Sequence, residues 1–505
     1  MFTINSTTIE EDMKKILEAL PQIKNFLLKN EGMSQTVVKN TFWLSISELA
    51  GRALRIIIII YAARVLGAAG WGTFAYLTSL AAVFTIFSDI GISSVVVREV
   101  TKSPEREGVY FSTAFAVKFV LTLVSLAILV FLTPLFTGIP ISQTLLGLVG
   151  LLFVFDSLRR FSTSLFRARE KMEREAAVNV LTQTSIVVAG FIALSLSQTP
   201  ESLGAAYATG AGIGFLAAAY LLRDNIKKLF VGFDKTLVAS IIKDAWPLSF
   251  GAIFGMLLVN IDTVMIGWFK SAEEVGFYSA AQKPISMLYI LPTLIVGGVF
   301  PVLAKFAYKN PDGFRKVFEK SLGLIAMVAF PLAIGIMLTS GEIISLVYGS
   351  EYAAAAPSLR ILGLTIITAF PVSIIIHGVF AHNKQTSLVP LWISGATLNI
   401  ALNLILIPRN GISGAAWASL ITQIIINGLI WLKMKKINSF NIFQKLPVIL
   451  LATFMMSVAT MIGKLLDIHV LIIIPIAVAA YFGSLAFSGE RVLDEILGRK
   501  KVTDI

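Results

Sequence analysis

Apolar runs of about twenty residues recur along the whole chain, and they constrain its fold more than any other feature. Of the 505 residues, 56% are hydrophobic and 14% are charged, whereas soluble domains carry about 25% charged residues. A run of about 20 apolar residues matches one membrane-spanning helix. A spanning barrel would show short alternating segments instead. The sequence therefore predicts an all-α polytopic membrane protein.

The apolar runs predict fourteen spans, at residues 40–66, 72–97, 109–136, 141–166, 176–197, 202–222, 244–269, 276–304, 318–340, 357–381, 386–407, 411–432, 446–466 and 469–487. With the N-terminus in the cytoplasm, Lys and Arg concentrate in cytoplasmic loops such as 98–108, 167–175 and 433–445. This positive-inside pattern predicts that both termini are cytoplasmic. It accounts for most of the net charge of +12, so we expect no nucleic-acid partner.

Two short motifs recur at nearly the same offset. Residues 72–75 (GTFA) align with residues 276–279 (GFYS) at an offset of 204, and residues 204–208 (GAAYA) align with residues 414–418 (GAAWA) at an offset of 210. Small residues are common at helix interfaces in any case, but two ordered matches favour a duplicated six-span unit. Because the unit has an even number of spans, the copies are parallel repeats related by an axis along the membrane normal.

This duplication predicts a domain organisation. In chain order we expect a cytoplasmic segment (1–39) with an amphipathic helix at 9–20, an N lobe (40–222), a cytoplasmic linker (223–243), a C lobe (244–432), spans 13 and 14 (433–487) and a cytoplasmic tail (488–505). Two such lobes enclose a central cleft that rocking exposes to alternate sides of the membrane. A transporter is therefore favoured over a channel.

Three stretches of the chain resemble a known family. They are ARVLGAAGWGTFAY followed by FSDIGISSVVVRE, then NIDTVMIGWFKSAEEVGFYSAAQK, and finally PRNGISGAAWAS before span 12. Over roughly residues 35–487 the chain resembles the polysaccharide or oligosaccharide flippases of the multidrug/oligosaccharidyl-lipid/polysaccharide exporter superfamily and, more distantly, the lipid II flippases. Fourteen spans favour the flippase branches over the multidrug branch, which usually has twelve.

The resemblance implies a function. It implies a flippase in the inner (cytoplasmic) membrane that moves a polyprenyl-(pyro)phosphate-linked oligosaccharide from the cytoplasmic to the outer leaflet by alternating access. It also implies a groove for the lipid tail on spans 13 and 14, contact with membrane lipids, and glycan-assembly enzymes as partners. Two alternatives stay open: a multidrug/cation antiporter of the same fold, and an uncoupled lipid scramblase or membrane scaffold.

Span 1 carries three charges on one helical face. Glu48, Arg52 and Arg55 are spaced i, i+4 and i+7, which places them together. Arginine binds phosphate bidentately and stays charged, so Arg52 and Arg55 are candidates for headgroup binding. The alternative is internal pairing, of Glu48 with Arg52 and of Asp89 with the remaining arginine. Arg64 lies on the opposite face near the outer end, where snorkelling explains it.

Two further groups of charges lie in the N lobe. Lys118 on span 3 and Asp156 on span 4 lie at similar depth, and we expect them to pair. Arg159 and Arg160 follow at the inner end of span 4. Snorkelling or contact with anionic lipids accounts for both arginines.

Asp262 and Lys283 lie inside spans 7 and 8, each roughly 10 Å below the outer surface. Ionisable groups at this depth default to functional or paired roles. We expect them to pair in at least one state, with Lys283 as a second headgroup cation and Asp262 as a proton or sodium site as the functional alternatives. Asp89 and Glu48 are further candidates for coupling or gating. Pro284 and Pro292 each remove a helical hydrogen bond.

Four amides lie on spans 11 and 12: Asn399, Asn403, Gln423 and Asn427. They are candidates for hydrogen bonds between helices or for contacts with sugar hydroxyls, and the first role is the commoner one.

Several chemistries have no motif in the sequence. The chain has no cysteine and no P-loop, and its three histidines, His377, His382 and His469, are scattered. The longest loops, of about twenty residues, are short for a catalytic domain. We therefore expect no enzyme activity, no metal centre and no cofactor other than Na+ or H+ as a coupling ion.

Overall fold

A computed structural model describes residues 32–135, 137–223, 232–441 and 446–487. The predicted amphipathic helix at 9–20 and the predicted tail at 488–505 lie outside these residues. In the described ranges the chain forms fourteen α-helices and no strand. They are α1 (Met33–Asp89), α2 (Ile92–Lys102), α3 (Glu107–Leu132), α4 (Gln143–Ala168), α5 (Met172–Leu196), α6 (Pro200–Leu222), α7 (Lys235–Phe269), α8 (Ala272–Leu288), α9 (Ile290–Phe306), α10 (Pro311–Tyr348), α11 (Ala356–Ala381), α12 (Val389–Ile437), α13 (Leu446–Leu465) and α14 (Val470–Phe487).

Two of the helices are too long for a single crossing of a bilayer. Helix α1 has 57 residues and α12 has 49, which at 1.5 Å per residue exceeds the hydrocarbon core of about 30 Å. Each is interrupted by a glycine in the left-handed region, Gly67 (φ 66°) in α1 and Gly411 (φ 57°) in α12. Glu48 and Asp89, from either side of Gly67, line one cavity, so the chain reverses there. Each long helix thus contains two of the predicted spans.

The length and composition of the helices confirm a multi-pass membrane protein. Within the described residues, ten helical stretches are long and apolar enough to cross a membrane, and both interrupted helices are among them. The bounds of the helices differ from the predicted spans at three main places. Helix α7 begins at Lys235 rather than at residue 244, because the Asp234 carboxylate accepts a hydrogen bond from the backbone N–H of Thr236 and starts the helix early.

Two spans are broken inside the membrane. The predicted span at 72–97 ends its first helix at Asp89, turns through Ile90 (φ 39°) and Gly91 (φ 91°), and resumes as α2. The predicted span at 276–304 is broken at Tyr289 between α8 and α9. Pro292 explains the second break, since it has no N–H for the preceding turn and its ring crowds that turn. The sequence did not predict the first break.

The bundle has two distinguishable ends. At the basic end, defined by the loops at 98–108 and 167–175, Arg169 pairs with Glu107, and Arg98 pairs with Asp244 on α7 at 2.5 Å. At the opposite end, called the Gly67 end, the start of α8 packs directly on α1 beyond Gly67. A Cβ on Gly267 would lie 2.2 Å from the buried ring of Tyr76. Helices from the two halves of the chain therefore share one apolar core at the Gly67 end.

Candidate functional site

A polar cavity of about 570 Å³ lies among helices α1, α2, α4 and α5. The charged residues lining it are Glu48, Arg52, Arg55, Asp89, Arg159, Arg160, Arg167 and Glu175. Hydroxyl and amide side chains complete its wall, among them Ser93, Asn179 and Gln183. The predicted face of span 1 therefore borders this cavity, and basic side chains outnumber acidic ones in its lining.

Most of these charges have a partner of opposite charge, either in the lining or directly behind it. The Glu48 carboxylate accepts a hydrogen bond from Arg52 at 2.7 Å, as one predicted alternative required. Asp156 accepts from both Arg159 (2.7 Å) and Arg160 (2.6 Å). Arg159 and Arg160 thus border the polar cavity as partners of Asp156, a pairing that was not predicted.

The expected pair of Lys118 and Asp156 does not form. Lys118 lies 3.2 Å from Asp89 instead. The hydroxyl of Ser157, one residue beyond Asp156, faces Ser88 and Thr122 on the neighbouring helices. Because successive residues on a helix differ by about 100°, Asp156 points away from that contact and towards its two arginines.

Asp89 stabilises a helix start and does not pair with Arg55 as one predicted alternative required. Its carboxylate accepts hydrogen bonds from the backbone N–H and the hydroxyl of Ser93, at 3.1 and 2.8 Å. It thereby supports the first turn of α2 directly after the break at Ile90. Lys118 provides its countercharge, so no charge of Asp89 remains for Arg55, and that predicted pairing was wrong.

Arg55 and Lys283 come together from the two halves of the chain. Neither side chain has an acidic partner within 4.0 Å among the described residues, and each lies one turn from the contact between Arg52 and Ser286 that joins α1 to α8. Arg52 extends the same group, because its guanidinium donates to the carbonyl of Ser286, one turn beyond Lys283, at 3.4 Å. The three cations predicted as phosphate ligands therefore lie together where α1 meets α8.

Asp262 lies in a separate, buried network and is 1% exposed. Its carboxylate accepts hydrogen bonds from the hydroxyl of Tyr278 (2.7 Å), the amide of Asn403 (2.7 Å) and the hydroxyl of Ser419 (2.5 Å). Asn403 also donates to Asn399 at 3.1 Å. The turn at Gly411 carries Ser419 back beside Asn403, so both halves of α12 supply a partner.

The expected pair of Asp262 and Lys283 is absent from this conformation. Tyr278 reaches Asp262, and Lys283 lies five residues further along α8, about 140° around the helix at 100° per residue. Similar depth in the membrane did not imply a shared face. The sequence contains one signal of the Asp262 network. Asn399 and Asn403 are spaced i, i+4, which puts two amides on one face of the helix.

The Asp262 network contains oxygen atoms suited to a hard cation. In the described part of the chain, the Asn403 Oδ1 is buried without a hydrogen-bond partner. Carboxylate, amide and hydroxyl oxygens are the donors that hard cations prefer. No cluster of three or more His, Cys, Asp or Glu side chains occurs among the described residues, so a transition-metal site is not indicated there.

Arg64 binds backbone across the two halves of the chain. Its guanidinium donates to the carbonyls of Val347 (2.8 Å) and Leu346 (2.5 Å), in the last turn of α10. Nearby, the Tyr352 hydroxyl donates to the carbonyl of Ala63 at 2.8 Å. A cation at a helix C-terminus is favourable, so Arg64 caps α10, and its assignment to snorkelling was wrong.

An apolar cavity of about 420 Å³ lies between α10, α13 and α14. Met327, Pro331, Met456 and Tyr481 are among its lining residues. Glu342 on α10 and Lys464 on α13 pair at 2.6 Å at the Gly67 end of these helices. The cavity lies where the resemblance implies a groove for a lipid tail.

These features define a class of protein: a helical, multi-pass membrane protein with a cationic group between its halves and a buried carboxylate network in the second half. The family model for polysaccharide biosynthesis proteins matches residues 37–307, and the MatE family model matches residues 247–405. The first match covers more than half of the chain, which therefore belongs to the polysaccharide biosynthesis protein family. The resemblance to the flippase family of the exporter superfamily is thereby confirmed.

Relatives and solved structures agree with this membership. The chain is 25% identical over 404 residues to a Haloferax volcanii protein named as a probable low-salt glycan biosynthesis flippase, Agl15, covering 76% of this chain and 80% of the relative. It is 32% identical over 211 residues to the Bacillus subtilis teichuronic acid biosynthesis protein TuaB, covering 39% of this chain and 43% of TuaB. Its fold is similar to that of the lipid II flippase MurJ in an inward closed conformation, with a TM-score of 0.74, 19% identity, and 88% and 98% of the two chains covered.

Proposed function

We propose that the chain is a flippase that carries a lipid-linked oligosaccharide across the cell membrane by alternating access. The observation that carries the proposal is the contact of Arg52 with the carbonyl of Ser286. It brings together the adjoining turns of α1 and α8 that carry Arg55 and Lys283, and neither cation has an acidic partner among the described residues. Relatives named for glycan biosynthesis, one of them as a probable flippase, support it.

A polyprenyl (pyro)phosphate headgroup fits this group of cations. Unpaired cations inside a membrane protein are costly and mark a substrate path. A phosphate lying between Arg55 and Lys283 relieves their mutual repulsion, and the guanidinium offers two parallel donors to its oxygens. Because α1 and α8 belong to different halves, a bound phosphate favours their approach. Substrate binding is thereby linked to rocking of the two halves.

The apolar cavity between α10, α13 and α14 suits the lipid tail. Met327, Ile336 and Ile474 give it an aliphatic wall, which a polyprenyl chain contacts without leaving a polar group unsatisfied. The headgroup and the tail thus have separate environments in one chain. The tail stays in an apolar medium while the glycan crosses between the halves.

The Asp262 network is the proposed site for a coupling ion, Na+ or H+. Its one carboxylate and its uncharged oxygen donors provide a single negative charge for one monovalent cation. Glu48 and Asp89 are less suited to this role, since both already have cationic partners.

The distribution of charge supports an orientation. We assign the basic end to the cytoplasm of the cell (inner) membrane, with both chain termini there. The glycan then enters from the basic end and leaves at the Gly67 end. Enzymes that assemble the glycan on the cytoplasmic face are the partners that this route requires.

The proposal is tested by deleting the gene in its own host and measuring lipid-linked glycan on each membrane face. Loss of glycan from the outer face, with retention on the cytoplasmic face, is expected, and the intact gene restores export. Unchanged outer glycan contradicts the proposal. In vesicles containing the purified chain, movement of the lipid-linked glycan at equal rates in both directions, without any ion gradient, assigns the chain to the scramblase alternative. Loss of resistance to cationic drugs with normal glycan export assigns it to the antiporter alternative.

A further inference from the structure

A third cavity, of about 410 Å³, lies in the C-terminal half of the chain, and the function proposed above gives it no role. We call it the Trp392 cavity. Its volume is within the range of about 300–1,000 Å³ for small-molecule sites. It is partly open and is bordered by α7, by Tyr289 at the break in span 8, by α11 and by both halves of α12. Trp392 and Asn427 lie near the basic end of α12, so this cavity is on the side from which the substrate enters.

The Trp392 cavity differs in charge from the polar cavity among α1, α2, α4 and α5. Among the described residues that line the Trp392 cavity there is no Asp, Glu, Lys or Arg, whereas eight charged residues line the polar cavity. An anionic group moved into an uncharged site is costly without a partner. The occupant that fits is therefore neutral.

The side chains that line the Trp392 cavity suit a sugar ring. Trp392 offers a broad, rigid, half-buried aromatic surface, against which the apolar face of a pyranose packs. Gln423 and Asn427 add amides, each able to donate and to accept hydrogen bonds with ring hydroxyls. Tyr289 and Gln423 line the same cavity, so the Tyr289 hydroxyl adds a further donor and acceptor to its wall.

An unsatisfied hydroxyl independently points to a ligand. Thr422 lines the cavity and is 2% exposed, and its hydroxyl has no hydrogen-bond partner among the residues that the structure describes. A buried polar group left in this condition costs about 1–3 kcal/mol. A hydroxyl of a bound sugar removes that cost. Asn399 and Ser419 line the same cavity and belong to the Asp262 network, so an occupant lies directly against the proposed ion site.

We propose that this cavity is a binding subsite for a neutral sugar of the glycan. The inference rests on the proposed function and assigns two parts of the substrate to two different places in the chain. Arg52, Arg55 and Lys283 hold the phosphate, and the Trp392 cavity holds a sugar ring.

The test compares glycan export by Trp392→Phe and Trp392→Leu in the host lacking its own copy, normalised to the amount of chain in the membrane. Phenylalanine keeps a stacking surface, so export stays above about half of the wild-type level. Leucine keeps apolar bulk without stacking, so export falls about fivefold. Trp417→Leu, at a 45% exposed position on the same helix, is the matched control and retains wild-type export. Wild-type export by Trp392→Leu, or equal losses in both Trp392 variants, overturns the subsite.

Thr422→Val separates a binding role from a structural one. Valine has the shape of threonine without the unsatisfied hydroxyl, so the thermal midpoint of the purified full chain stays equal or rises while export falls. A fall in the midpoint with normal export overturns the role of Thr422.

Binding of inorganic pyrophosphate to the purified full chain distinguishes failure of the subsite from failure of the proposed function. Trp392→Leu keeps the wild-type affinity within about twofold, because the phosphate site is elsewhere. Loss of pyrophosphate binding in that variant shows a general disturbance and overturns the subsite. A wild-type chain that neither binds pyrophosphate nor supports export overturns the proposed function itself.

Discussion

Gly72 and Gly276 lie in reciprocal backbone contact at the Gly67 end. A Cβ on Gly72 would lie 1.7 Å from the carbonyl oxygen of Ala272, and a Cβ on Gly276 would lie 2.0 Å from that of Ala68. The offset of 204 relates both pairs, Ala68 to Ala272 and Gly72 to Gly276. Such mutual contacts are what a local two-fold relation produces. They support the predicted duplication, whose full layout stays a prediction, and they show the halves closed against each other there.

Gly72→Ala is expected to prevent this closure, because the added methyl group meets a carbonyl oxygen that belongs to a helix backbone and cannot move alone. Glycan export falls strongly, and the Gly67 end becomes accessible. Since the chain has no cysteine, Ser279→Cys reports that access through its reaction with an impermeant maleimide. Ser279 is 1% exposed and reacts slowly unless Gly72 is changed.

The control for that experiment is Gly297→Ala, a glycine whose added methyl group would meet nothing within 4 Å. Normal export is expected from it. Normal export and slow labelling in Gly72→Ala would show that closure at this contact is dispensable.

Arg64→Gln is expected to weaken the closed arrangement without abolishing folding. Two hydrogen bonds from its guanidinium to the last turn of α10 join the halves, and bonds to a charged group contribute about 1.5–3 kcal/mol. Labelling of Ser279→Cys therefore rises about tenfold or more. Arg64→Lys restores only part of the effect, because one ammonium does not reproduce the planar fork. Unchanged labelling in both variants would show that Arg64 does not stabilise the closed arrangement.

Asp89→Asn is expected to destabilise the chain more than Lys118→Met. Lys118 is 1% exposed and Asp89 is 29% exposed, so loss of the acid strands a buried charge, at about 3–5 kcal/mol. If the pair is structural, combining Asp89→Asn with Lys118→Met restores most of the lost thermal stability, measured as the thermal midpoint, and the variant retains export. Loss of export in a stable double variant would instead support the predicted coupling role of Asp89.

Asp262→Asn is expected to abolish the response of the chain to its coupling ion. In purified protein at constant ionic strength, sodium in place of choline raises the thermal midpoint of the wild type, since a cation that binds only the folded state stabilises it. The variant keeps its shape and loses this rise. If the ion is a proton, sodium has no effect and the pH dependence of export disappears instead. If the variant responds to sodium and to pH like the wild type, Asp262 does not bind the coupling ion.

The fold was largely predictable because hydropathy is a local property. Spans 13 and 14 were predicted at 446–466 and 469–487 and end within one residue of α13 and α14. The break at Ile90 and Gly91 was not predicted, since two residues inside an apolar run leave its hydropathy unchanged. It depends on Asp89, whose partner Lys118 comes from another helix.

The site was predictable in composition but not in partners. The spacing of Glu48, Arg52 and Arg55 predicted a shared face, because helical periodicity is fixed over two turns. The partners of Asp262 are 141 and 157 residues away in sequence, at Asn403 and Ser419. Their approach depends on how α7 packs against α12. Similar depth suggested Lys283 as a partner, but in this conformation its position around the helix axis turns it away from Asp262.

In the proposed function, Arg55 and Lys283 bind the phosphate of a lipid-linked glycan while it crosses the membrane. The most direct measurement is the rate at which labelled lipid-linked oligosaccharide from the host changes leaflets in vesicles containing the purified full chain. We predict that Arg55→Gln combined with Lys283→Gln reduces this rate at least about tenfold. Lys305→Gln combined with Arg409→Gln, which removes the same charge at exposed positions, leaves it unchanged. A wild-type rate in the Arg55 and Lys283 double variant would contradict the account.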